Sequence, residues 1–123
     1  MKSRRRRIYD KMTDSEREVA QYLKEVGVAW VFQFPVFVYD EENRERLWTP
    51  DFYIPKLGLY IEVCGSEEFD YEYREMIYKK NGIPVVFLHY YKRPEKWMVF
   101  LEKRIKAIEK QRLSEAKKLT VFE

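Results

Sequence analysis

The apolar positions Val19, Tyr22, Leu23 and Val26 recur at helical spacing, which predicts a helix over residues 15–26, capped by Thr13 or Asp14 and ended by Gly27. The period then changes. Residues 29–39 are rich in Val, Phe and Trp and predict a long strand, with Pro35 marking a bulge or an edge position. A polar turn at 40–44 leads to a returning strand at 47–54, and Lys56-Leu57-Gly58 turns the chain into a third strand at 59–64. After Gly65-Ser66, residues 68–80 predict a second helix, with Phe69, Tyr73, Met76 and Ile77 on its buried face and Asn81-Gly82 closing it. Pro84 to Leu88 is short and wholly apolar, as expected of a strand covered on both faces.

A strand, a helix and another strand of the same sheet imply a right-handed crossover with parallel pairing. Pro94 opens a long third helix, with Trp97, Phe100, Leu101, Ile105 and Ile108 inward before it turns almost wholly charged near Lys110. The order predicts an α/β domain: a mixed four-stranded sheet, an antiparallel meander plus one parallel strand, flanked by helices and extended by a C-terminal helix.

At 123 residues the chain has room for one core, so 1–123 is read as a single domain, with a basic N-terminal arm at 1–12 and a helical extension at 94–123. No apolar run approaches a membrane span and the first residues are basic, so neither a membrane nor a signal peptide is expected. A lone cysteine, Cys64, forms no internal disulfide and suits a reducing, cytoplasmic setting. Net charge is only +3, but Lys2 to Arg7 hold five cations in six positions. Such a run reads either as a polyanion-binding arm, through Arg4, Arg5, Arg6 and Arg7, or as a solvated tail.

Two carboxylates carry the candidate chemistry. Asp51 follows Pro50 near the start of a strand, and Glu62 sits late in the apolar strand Leu59-Tyr60-Ile61-Glu62-Val63. A carboxylate in such a strand is partly desolvated and needs a cation or a donor. Two brought together across a hairpin repel unless a divalent ion lies between them, which is the oxygen-ligand arrangement that phosphodiester cleavage needs. Glu16 lies three positions before Val19, close enough to the edge of the first helix's apolar stripe to lean inward, with Glu18 as the neighbouring candidate on an adjoining face.

The order of elements, with Pro50-Asp51 before one strand and Ile61-Glu62-Val63-Cys64-Gly65 on the next, resembles the PD-(D/E)XK, or restriction-endonuclease-like, nuclease superfamily. It is most similar to the small single-domain branch like very-short-patch repair endonucleases, whose later "Gly-Ile-x-Val" strand is matched here by Gly82-Ile83-Pro84-Val85. The resemblance covers about residues 15–88. It implies a metal-dependent endonuclease acting on DNA, with Asp51, Glu62, the backbone carbonyl of Val63 and Glu16 around Mg²⁺ or Mn²⁺. Many proteins of that fold pair up to cut both strands, so a homodimer is a partner the resemblance allows.

One departure is chemical. The superfamily places Lys two positions after the Glu, where it orients water and stabilises charge; here that catalytic position is Cys64. Cys64 itself reads as a small buried apolar residue rather than a nucleophile, and His89 as a strand-end surface residue. Arg74 and Tyr71, early in the second helix, are the nearer substitutes for the missing cation. Lys79 and Lys80 lie at that helix's far end and join Arg74 and Tyr71 only as phosphate or base contacts. Tyr73, Tyr78 and Tyr90-Tyr91-Lys92-Arg93 mix rings with cations in a pattern that suits nucleic acid, or else pack beneath the last helix. Two rivals to the enzyme follow: a nucleic-acid-binding module of the same fold that has lost catalysis, or a subunit that meets another protein.

Overall fold

The computed structural model describes residues 4–65, 70–90 and 96–119, with residues 4–6 described as backbone only. Ten elements follow in order: α1 (Arg4–Asp10), α2 (Asp14–Glu25), β1 (Val31–Phe32), β2 (Val36–Tyr39), β3 (Glu45–Trp48), β4 (Phe52–Ile54), β5 (Leu59–Val63), α3 (Tyr71–Lys80), β6 (Val85–Leu88) and α4 (Trp97–Leu119). The chain is α/β. A four-stranded sheet runs β1-β4-β5-β6, antiparallel except for the parallel β5–β6 pair, and β2 pairs with β3 as a separate two-stranded ribbon. No described helix is long and apolar enough to cross a membrane.

The expected long hairpin is broken in both of its strands. Gln33 adopts φ 56°, in the left-handed region, and Pro35 follows it, so residues 29–39 divide into β1 and β2. Asp51 sits at a bend after buried Pro50, so residues 47–54 divide into β3 and β4. β1 and β4 stay in the sheet, while β2 and β3 swing off as the ribbon. The Arg-rich start is a helix rather than an extended arm, held because Ile8, Tyr9 and Met12 pack on the core.

Strand alternation sorts the side chains. Phe52, Ile54, Leu59, Ile61, Val86 and Leu88 meet Val19, Ala20 and Leu23 of α2 and Trp97, Leu101, Ile105 and Ile108 of α4. The opposite face carries a second cluster, in which Cys64 and Phe87 of the sheet side meet Val38 of the ribbon and Ile77 and Tyr78 of α3. Three expected core positions are instead exposed: Val26, Met76 and Phe100. The inward face of α3 is rotated toward Tyr78, which is buried and so packs in the protein rather than meeting nucleic acid. Phe69, the expected helix start at 68, Tyr91-Lys92-Arg93 and Pro94 lie outside the described residues, as do the side chains of Arg4, Arg5 and Arg6.

Candidate functional site

Asp51 and Glu62 are opposed by register. Phe52 pairs with Ile61 in an antiparallel ladder, so Asp51, just before β4, faces Glu62. At that point the ladder gives way to side chains. The Asp51 N–H donates to Glu62 Oε1 at 3.3 Å, and the Val63 N–H donates to Asp51 Oδ2 at 2.7 Å. A carboxylate thus takes the place of a ladder carbonyl at the end of β5. The two acids are side by side.

The third carboxylate comes from α2. Thr13 caps that helix reciprocally: its side chain accepts from the Glu16 N–H, and its own N–H donates to Glu16 Oε1 at 2.8 Å. The cap holds Glu16 at the helix start, where its side chain lies against Asp51. Glu18 is turned elsewhere and accepts from the Tyr90 hydroxyl. Of the two candidates, Glu16 is the one the fold brings to the site.

Burial pushes Asp51 up to about 8, with the Glu16 side chain and the Glu62 charge adding to it and the Val63 N–H opposing. Glu62, 6% exposed, is also raised, by burial first, against the pull of Arg74. Arg74 Nε donates to Glu62 Oε2 at 2.6 Å and its Nη2 donates to the Tyr78 hydroxyl at 2.8 Å. Its guanidinium lies 4.4 Å from the centroid of the Trp48 ring. A cation therefore stands beside Glu62, supplied from α3 rather than from the strand. Trp48 was missed as part of this arrangement; its place just before Thr49-Pro50-Asp51 was the available signal.

Cys64 is fully buried and its thiol is pushed up to about 12, by burial first and then by the charges of Glu62 and Asp51. Ile77, Tyr78 and Phe87 fill the space around it, so a lysine there would be both crowded and desolvated. Tyr71 is half-buried, with its ring edge against Phe87 and His89. His89 is therefore packed rather than a bare surface group. Lys80 ties α3 to the ribbon turn, donating to the Asp40 carbonyl and to Asn43 Oδ1, so its ammonium is engaged within the protein. Arg7 and Lys79 are exposed.

The donor set suits a hard cation in its chemistry. Buried carboxylates whose ionisation is held back are those a divalent ion would favour. Glu16 spends one oxygen on its helix cap and Glu62 one on Arg74, and no three His, Cys, Asp or Glu side chains among the described residues are grouped as a ligand set. Asp51 and the Oε1 side of Glu62 are left as the pair on which an ion would rest. Comparison with known protein families, curated proteins and solved structures finds no match to this chain.

Proposed function

We propose that this chain is a restriction-endonuclease-like, Mg²⁺- or Mn²⁺-dependent nuclease that hydrolyses phosphodiester bonds in DNA. The observation that carries the reading is the Asp51–Glu62 pair: Glu62 buried and Asp51 half-buried, linked through the Asp51 N–H, both raised in pKa, with Glu16 beside Asp51. Asp51 and Glu62 would hold the ion, with the Val63 carbonyl and Glu16 nearby, and the ion would lower the pKa of bound water and offset charge on the phosphate. Arg74 takes the electrostatic duty of the lysine that Cys64 replaces. Its guanidinium orients Glu62 and is itself oriented by Trp48 and Tyr78. Exposed cations at Arg7 and Lys79 would add affinity without sequence choice.

One observation favours a second reading. The Arg74–Glu62 ion pair already matches one of the buried charges, as it would in a binding module of this fold that needs no metal. A nicking assay separates the two. Supercoiled DNA with Mn²⁺ is nicked by the wild type and not by Asp51→Ala if the enzyme reading holds. Retarded mobility without nicking by either protein supports the binding module.

A further inference from the structure

On the face of β5 that bears Glu62, the residue two positions earlier is Tyr60, and Tyr60 pairs across the ladder with Tyr53. Their rings lie 4.5 Å apart at 37°. Phe34, from the bend between β1 and β2, stacks on Tyr53 at 5.1 Å and 17°. The outcome is a row of three rings whose outer member is 43% exposed. It begins two residues, about 6.8 Å of strand, from the acid pair. Among the described aromatics outside the apolar clusters, this row is the one continuous with the candidate site.

Charge is arranged along the same ladder. Lys56 is exposed in the turn that closes β4 and β5, the ring row follows, then the acid pair, then Arg74 on Glu62. An exposed cation, flat rings and a site for a divalent ion form a sequence that matches a polyanion carrying unpaired bases. A duplex keeps its bases stacked on one another and offers such rings little surface. An unpaired base has a free π-face.

We infer that Phe34 and Tyr53 form a stacking platform for an unpaired nucleobase, and that the substrate is single-stranded nucleic acid or a single-stranded segment of a branched one. This rests on the nuclease reading for its chemistry but not for its test. Binding is measured in EDTA, by fluorescence anisotropy, for three labelled probes: a single-stranded oligonucleotide, its duplex, and a strand of the same length made abasic throughout.

The expected order is single strand tightest, with duplex and abasic strand weaker. Phe34→Ala should weaken single-strand binding roughly five-fold to a hundred-fold, the range for one lost base–ring stack, and leave abasic binding unchanged. Phe34→Trp, which keeps a ring, should retain it. Equal affinity for base-bearing and abasic strands, a preference for duplex, an unaffected Phe34→Ala variant, or no binding to any probe each overturns the inference. Base-dependent binding without Asp51-dependent nicking would sink the nuclease reading and leave the platform standing. Asp51-dependent nicking without base-dependent binding would do the reverse.

Discussion

Asp51 is a carboxylate whose surroundings favour the protonated form, and this fixes the sign of its effect on stability. Its folded-state value, about 8, lies above the unfolded value near 4. The proton therefore binds the folded chain more tightly, and the stability it contributes is full at low pH and lost as pH rises between those two values. Asp40 acts oppositely. Its carboxylate accepts from the Arg44 and Glu42 N–H groups and from Arg46, which hold it at about 2, so its contribution is lost only as pH falls toward that value. The windows do not overlap. Asp51→Asn is accordingly expected to stabilise the protein more at pH 8 than at pH 5, by roughly 1–3 kcal/mol after allowance for partial exposure. Thermal melts at the two pH values check this, and an equal effect at both would contradict it.

Arg74 and Glu62 make a second case at the same scale. Both side chains are mostly buried, at 19% and 8% exposure, so removing one partner leaves an unmatched charge. Arg74→Met should cost about 3–5 kcal/mol, and adding Glu62→Gln should recover a large part of that. Additive losses in the double variant, measured by urea denaturation, would mean that the pair is not coupled. The chain itself points to Arg74, with Tyr71, as the substitute cation near Glu62, but not to the direct pairing of the two side chains. Twelve residues separate the partners, and their meeting depends on the rotation of α3, which the sequence placed on Met76 rather than Tyr78. Asp51 and Glu62 were legible because strand pairing across a short turn opposes them whatever the helices do.

At the scale of elements, the β2–β3 ribbon depends on polar contacts more than on burial. Phe37, Tyr39 and Leu47 are exposed, while Asp40 collects Arg44 and Arg46 and Lys80 clasps the turn from α3. Asn81 adds two bonds to the Tyr39 backbone. Asp40→Ala should therefore speed amide exchange through 38–46 while leaving β4, β5 and β6 protected. Uniform loss of protection across both sheets would show instead that ribbon and sheet unfold as one. The ribbon's separation was only half legible. Pro35 signalled an interruption, but the left-handed turn at Gln33 depends on a bond from its N–H to the Asp51 carbonyl, a tertiary contact. The helical start of the chain was missed for a similar reason. A run of arginines reads as solvated, and what anchors it is the contact of Ile8 and Tyr9 with the core.

At the scale of the whole molecule, the sheet lies between two unequal covers. One face is closed by α2 and α4 over a large apolar cluster. The other is only partly covered, by α3 and the ribbon. The acids lie where β4 diverges from β5, close to the start of α2. The burial that raises their pKa values is thus a property of the assembled layers and not of either strand alone. A ligand that binds the folded chain and not the unfolded one adds to stability by mass action. Whether Asp51 and Glu62 share a divalent ion is decided by calorimetric titration of the full chain with Mn²⁺. One ion per chain is expected for the wild type, lost in Asp51→Asn and in Glu62→Gln while both variants remain folded. Binding that persists unchanged in both variants, or none in the wild type, would contradict it.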